Sequence, residues 1–342
     1  MDSTEVLFRR EGALGRITLN RPKALNALTL DMCAAMFARM QDWARDPQIR
    51  SVVIDSEGRA FAAGGDVRAV YDAGKKRDGS VMKFFSTEYP LNAAIRHFPK
   101  PYVALINGIA MGGGLGVSMH GSHRVVSENA ILAMPETAIG LFPDVGASYF
   151  LNRLPGQLGM YLALTGERLS PADALYCRLA THFVRAERFA DITARLTLGE
   201  TPDAVLAELS LDPGKAGLAQ HRAVIDRAFA AASVEQILDA LVSEGEWGRA
   251  TRDLLLTRSP TSLKLTFRQI REAAALDFNS CMRMEYRMVT RAMAGHDFYE
   301  GVRAALIDKD QSPRWQPSNL AEVGEEEINR YFAPLGALEL RL

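Results

Sequence analysis

Short β-branched runs closed by turn residues recur along the first half of the chain. They lie at 16–20 (RITLN), 51–56 (SVVIDS), 102–107 (YVALIN) and 123–128 (HRVVSE), and each predicts a strand. Between them apolar residues return at spacings of three and four. In 28–43, Leu28, Met32, Ala35, Met36, Met40 and Trp43 share a face, and 80–97 repeat the pattern through Phe84, Phe85, Tyr89, Leu91 and Ile95. Both stretches predict helices. Strands alternating with helices imply an α/β layer architecture up to about residue 190. After His182-Phe183-Val184 the strand pattern stops. Amphipathic helical segments follow at 202–209, 217–231, 233–243 and 261–275, with Pro202, Pro213 and Pro260 at helix starts or turns. The chain is therefore expected to divide into a strand-containing core at 1–190 and a helical region at 191–342. The tail 311–342 is expected to be ordered where Trp315 and Tyr331-Phe332 dock.

Composition narrows the class. With 342 residues, 48% hydrophobic and 24% charged, the chain has the proportions of a soluble folded protein. Forty basic against 41 acidic residues leave a net charge of −1, so there is no basic surplus to neutralise phosphates and no nucleic-acid partner is expected. Cys33, Cys177 and Cys281 lie far apart with no C-x-x-C pair, which excludes a zinc ribbon or disulfide scaffold and fits a reducing compartment. The stretch 1–12 (MDSTEVLFRREG) lacks the apolar run of a secretory signal, and the expected localisation is cytoplasmic. No charge occurs between Lys100 and Arg124, a length able to span a bilayer. Its many glycines, with Asn107 and His120, predict instead a buried strand, a glycine turn and a helix start, so no membrane partner is expected.

Candidate chemistry gathers in two small-residue clusters at strand ends, 61–66 (FAAGGD) and 107–116 (NGIAMGGGLG). Consecutive glycines leading into a helix aim backbone N–H groups at one point, where an anion or oxyanion is stabilised. Named motifs do not fit. G-x-G-x-x-G is broken at Val117 and Met119, no Gly-Lys-Ser/Thr follows for a P-loop, and a G-x-S-x-G around Ser118 ends on His120. In the run 133–146 two acids, Glu136 and Asp144, sit among Met, Ile, Leu, Phe and Pro, surroundings that exclude water and raise carboxyl pKa values. Asp144 also stands where it would cap a helix over 145–153, whereas Glu136 has no such duty. Glu88 lies on a predicted helix and reads as part of a solvated face. His120 and His123 lack further ligands, so no metal is expected.

The segments 20–28 (NRPKALNAL), 61–67 (FAAGGDV), 107–118 (NGIAMGGGLGVS) and 135–146 (PETAIGLFPDVG), in that order and spacing, resemble the crotonase (enoyl-CoA hydratase/isomerase) superfamily. Further segments resemble its 3-hydroxyisobutyryl-CoA hydrolase branch: 84–92 (FFSTEYPLN), 162–166 (LALTG), 180–183 (ATHF), 259–264 (SPTSLK), 295–298 (GHDF) and 300–310 (EGVRAALIDKD). The resemblance implies an α/β spiral of ββα repeats with a helical C-terminal region. It also implies hydrolysis of a short β-hydroxyacyl-CoA thioester, in the manner of 3-hydroxyisobutyryl-CoA in valine breakdown. Carried over by motif position, Gly65 and Gly113 would supply oxyanion N–H groups. Glu136 would be nucleophile or general base, Asp144 would assist or orient, and Glu88 would contact substrate, against its reading as a surface residue. Leu25, Ala63 and Asp66 fall in segments expected to touch CoA, which arrives as part of the substrate; no other cofactor is implied. One departure separates the chain from hydratases: their second glutamate falls at position 116, which here is Gly116. An enoyl-CoA hydratase or isomerase and an RNA-binding crotonase-like protein are the alternatives. The superfamily often forms trimers or hexamers, so the resemblance implies a homo-oligomer, although the branch's extra C-terminal helices can block those surfaces.

Overall fold

The protein is described from a computed structural model over residues 4–342. Its strands are β1 (Val6–Glu11), β2 (Leu14–Leu19), β3 (Ser51–Ser56), β4 (Ala60–Ala62), β5 (Tyr102–Ile106), β6 (Ile109–Met111), β7 (His123–Val126), β8 (Ile131–Ala133) and β9 (His182–Phe183). Six of them form one sheet in the order β1-β2-β3-β5-β7-β9, and β4-β6-β8 form a second. Among the strands named, β1 and β2 pair antiparallel and the other strand-to-strand pairings are parallel. The successive pairs β3–β4, β5–β6 and β7–β8 each place one strand in each sheet, so the chain winds forward by one step per repeat. This is the expected α/β spiral. In β5 every residue is buried, as in a parallel strand covered on both faces, which is why it reads as an unbroken apolar run. The uncharged stretch 100–124 resolves into β5, β6 and the short helix Gly113–Gly116. Among the described residues no helix is long and apolar enough to cross a membrane.

The chain forms two compact units, and their boundaries fall at other residues than the 190/191 division expected from sequence texture. One unit takes the residues up to Asp66 with Thr87–Ala133 and Arg168–Ala219. It contains every strand, and its core gathers Leu14, Val53, Val103, Leu105 and Val125 from the larger sheet with Ile192, Leu196, Val205 and Leu206 from two later helices. The other unit takes Val67–Ser86, Met134–Glu167 and Gln220–Leu342 and contains no strand. Two of its longest helices begin on capping residues. The Ser259 hydroxyl accepts the Ser262 N–H at 3.0 Å ahead of Pro260–Glu272, and Asp277 accepts the Ser280 N–H at 2.7 Å ahead of Phe278–Ala292. The tail docks in this unit: the Trp315 indole donates to the Thr257 carbonyl at 3.1 Å, and Ile328 and Phe332 of Glu325–Phe332 are buried.

Candidate active site

In the strand-bearing unit the first glycine cluster is fixed by a segment distant in the sequence, around Leu28. Leu28 and Gly65 form a parallel bridge that uses the Gly64 carbonyl, accepting from Leu28 N at 2.8 Å, and the Asp66 N–H, donating to the Leu28 carbonyl at 2.8 Å. With its flanking groups so engaged, Gly65 turns its own N–H to the opposite side. The loop before Leu28 is pinned by Asn26, which is fully buried. Its side chain accepts the Arg21 N–H at 2.7 Å and donates to the Glu57 and Ala60 carbonyls at 2.8 Å each. Leu25 and Asn26 both have positive φ, and the Leu25 carbonyl accepts the Ala63 N–H at 3.0 Å. Asp66 pairs with Arg21 at 2.9 Å. Leu25, Ala63 and Asp66 thus hold the Gly65 loop in place.

The second cluster begins the helix Gly113–Gly116, whose first N–H groups have no carbonyl within the helix to reach. A Cβ on Gly113 would stand 2.6 Å from Glu88 Oε1, 3.1 Å from the Gly65 nitrogen and 3.3 Å from Leu28. The missing side chain therefore lets Gly113, the Gly65 amide and the Glu88 carboxyl approach one another closely, with no room for a Cβ. Gly114 is glycine for a different reason, because a Cβ there would lie 2.2 Å from the Ala62 carbonyl oxygen. Glu88 is only 2% exposed, which overturns the solvated-face reading made from the residues alone. Beside it, burial and then the Glu88 charge push the Cys33 thiol up. The Ser118 hydroxyl donates to the Gly114 carbonyl at 2.8 Å and is fully buried, an arrangement of packing rather than of a nucleophile. His123 bonds Ser122 at 2.8 Å and Asp203 at 3.1 Å and stacks on His182. Among the described residues no group of three or more His, Cys, Asp or Glu is arranged to hold a metal ion.

Glu136 and Asp144 belong to the helical unit, and both are buried. Glu136 opens a single 3₁₀ turn, Glu136–Ile139, closed by Gly140 at φ 71°. That turn is gripped on several sides. Thr137 donates its hydroxyl to the Leu164 carbonyl at 3.0 Å, Ser259 N reaches the Thr137 carbonyl at 3.3 Å, and Gly140 and Gly301 pack where a Cβ would strike Asp297 and Ile139 backbone. Asp144 precedes Val145 and Gly146, at φ 53° and 86°, and the helix Ala147–Asn152. The expected capping role passes to another residue. Glu285, from Phe278–Ala292, accepts the Gly146 N–H at 2.7 Å and the Ser148 N–H at 2.9 Å. Sequence reasoning missed Glu285, although a signal was present: it interrupts an apolar stripe of Phe278, Cys281, Met282, Met288, Val289 and Ala292 at helical spacing. The same unit holds a cavity of about 810 Å³ whose lining includes Tyr71, Lys75, Arg77, His296, Tyr299 and Arg303. The Lys75 ammonium lies 5.2 and 5.3 Å from the Tyr71 and Tyr299 ring centres.

The enoyl-CoA hydratase/isomerase family profile matches residues 14–332. The chain belongs to this family. A 3-hydroxyisobutyryl-CoA hydrolase, mitochondrial, from Danio rerio is 48% identical over 99% of this chain and 92% of its own length. The protein of that name from Homo sapiens is 45% identical over 98% of this chain and 90% of its own length. Among solved structures, a carnitinyl-CoA dehydratase from Mycobacterium thermoresistibile superposes with a TM-score of 0.94 at 40% identity, covering 99% of both chains. An enoyl-CoA hydratase from Rhodobacter sphaeroides 2.4.1 superposes with a TM-score of 0.93 at 39% identity, over 99% of this chain and 100% of its own. The mitochondrial names of the hydrolase relatives overturn the cytoplasmic expectation. Cysteines spaced to suit a reducing compartment do not separate the cytosol from the mitochondrial interior.

Proposed function

We propose that the protein hydrolyses a short β-hydroxyacyl-CoA thioester, with 3-hydroxyisobutyryl-CoA as substrate and 3-hydroxyisobutyrate and CoA as products, a step of valine breakdown. The observation that carries this reading is the close approach at Gly113 of the Gly65 amide nitrogen and the Glu88 carboxyl. A thioester carbonyl oxygen needs N–H donors where negative charge develops, and a β-hydroxyl needs an acceptor near that carbonyl. The 45–48% identity to hydrolases of this name over nearly the whole chain supports the same substrate.

In the reaction the carbonyl carbon is attacked, its oxygen takes up negative charge facing the Gly65 and Gly113 amides, and the C–S bond breaks to release CoA. Glu136 serves either as nucleophile, through an anhydride that water then opens, or as the base that takes a proton from water. In both routes water is consumed and its elements divide between the acid and the thiol. Asp144 orients water or assists the proton transfer. The Glu88 carboxyl accepts the β-hydroxyl of the substrate. Lys75, Arg77 and the paired tyrosines suit the phosphates and planar base of CoA, which enters and leaves as part of the substrate; the scheme calls on no other cofactor. The test is Glu136→Gln. Thiol release from 3-hydroxyisobutyryl-CoA should fall by at least about 10²-fold, and a variant as fast as the wild type overturns the assignment.

A second reading, hydration of an enoyl-CoA, is favoured by the descriptions of the two superposed structures. It predicts a change in ultraviolet absorbance of the enoyl thioester with no free thiol, so one coupled assay separates the two.

A further inference from the structure

We propose that Glu285 is a positioning residue for this hydrolysis: from the helix Phe278–Ala292 it fixes the turn that carries Asp144 and thereby aims the Asp144 carboxyl. The inference rests on the hydrolase reading through Asp144. The turn needs an external hold. Val145, a β-branched residue, sits at φ 53°, and Gly146 follows at φ 86°. Left-handed backbone at a β-branched residue persists only where its surroundings over-determine it.

Two helices supply the hold. Gln269 donates its amide to the Pro143 carbonyl at 2.6 Å, on the near side of Asp144. Glu285 takes the far side, with Oε2 accepting from Gly146 N at 2.7 Å and Oε1 from Ser148 N at 2.9 Å, while the Ser148 hydroxyl bonds Oε1 as well. Both carboxyl oxygens are thus spent on the turn that follows Asp144. Glu285 is fully buried within an apolar helix stripe, where an aliphatic residue would pack without desolvating a polar carboxyl. Its presence there is explained by what it holds. Burial pushes its carboxyl up to about 8 against the hydrogen bonds from Ser148 and Gly146, and the Asp144 charge adds to the rise, so the two acids sense each other.

The test uses the full chain, thiol release from 3-hydroxyisobutyryl-CoA, and thermal unfolding of each variant. Glu285→Gln keeps the volume but presents an NH2 where a backbone N–H needs an acceptor. Displacement of a reacting group by about an ångström costs on the order of 10²-fold, so kcat should fall about 10- to 100-fold with KM within about threefold. Ser148→Ala keeps both backbone bonds and should cost less than about threefold. In an Asp144→Asn background Glu285→Gln should slow the enzyme by less than about threefold, because a residue acting through Asp144 has nothing further to lose. Glu285→Asp serves by the same criteria if the glutamine variant does not fold. The role is overturned by a folded variant with unchanged kcat, or by a full loss that persists on top of Asp144→Asn. A wild-type protein that releases no CoA overturns the hydrolase reading itself and takes this role with it.

Discussion

Replacing Gly113 by alanine tests the amide pair at the point where the structure is least forgiving. The added Cβ would lie 2.6 Å from Glu88 Oε1 and 3.1 Å from the Gly65 nitrogen. The first contact is well inside van der Waals distance, so one partner must move. Glu88 is 2% exposed and cannot swing into solvent. The Gly65 segment is bonded on both sides of the glycine, to Leu28. Any relief therefore displaces either the carboxyl or an amide. Loss of one oxyanion donor raises a barrier by about 3–4 kcal/mol, or 10²–10³ in kcat, and overpacking costs about 1–3 kcal/mol of stability. The expected result is a folded protein with a modestly lower melting temperature, kcat for thiol release down by about 10²-fold, and KM little changed. Gly217→Ala is the control, since its Cβ would meet only Asp173 Oδ1, at 4.0 Å. A Gly113→Ala enzyme with kcat within about threefold of wild type and unaltered unfolding refutes the assignment of the Gly65 and Gly113 amides to the carbonyl oxygen.

Asn26→Ala removes three hydrogen bonds from a fully buried side chain at positive φ. At about 1 kcal/mol each, plus the strain of alanine in left-handed backbone, it should cost about 4 kcal/mol in urea unfolding. Glu285 titrates near 8 in the fold against an ordinary value of 4.5. The folded state then holds the extra proton between these values, so stability is greatest below about 4.5 and declines as pH rises through about 8. The whole span is worth at most on the order of 5 kcal/mol. Thermal unfolding between pH 5 and pH 9 (roughly the span set by these values) should show the decline, and Glu285→Gln should flatten it. If Glu88 accepts the β-hydroxyl, acyl-CoAs lacking it should lose at least about 10²-fold in kcat/KM. Glu88→Gln should narrow that gap, and a wild type indifferent to the hydroxyl removes Glu88 from substrate selection.

The four expected strands lay where β-branched runs announced them, and the helix at 202–209 fell on its expected residues. What escaped were β1, whose VLFRRE runs three apolar residues into three charged ones without alternation, and strands too short to show a period. β4, β6 and β8 are three residues each, reading AFA, IAM and ILA, yet they form a sheet of their own. The unit boundaries escaped because texture follows local pattern. Residues 202–209 are helical but pack with the strand-bearing unit, and 67–86 and 134–167 belong with the later helices. At the site the glycine run was legible as a cluster but not residue by residue: Gly114 serves close packing against Ala62, whereas Gly113 borders the amide and the carboxyl. Glu88 misread as a surface residue because a polar position in an amphipathic pattern normally faces water. In Met82–Arg96, however, Phe85, Glu88, Tyr89, Leu91 and Asn92 are all buried, so burial extends around the helix and polarity marks function rather than solvent. The Glu285 partners lie 137 and 139 residues away, beyond any local pattern.

The choice between hydration and hydrolysis on this fold turns on position 116. Adding water across a double bond requires a proton for one carbon and a base for the water attacking the other, work that hydratases divide between two opposed carboxylates. Here residue 116 is glycine, the buried last residue of the helix that Gly113 opens, and it offers no proton. The acid that borders Gly113 comes instead from another helix, as Glu88. Thioester hydrolysis asks less of that wall. It needs donors for one oxyanion, a single group to form or activate the nucleophile, and a leaving thiolate that departs readily without a dedicated acid. A carboxyl freed from proton transfer is then available to read the substrate, and a buried acceptor discriminates strongly because an acyl group lacking its hydroxyl leaves that acceptor desolvated. On the proposed mechanism, the loss of one catalytic acid at position 116 and the burial of Glu88 beside Gly113 favour selective hydrolysis of a hydroxylated thioester over double-bond chemistry.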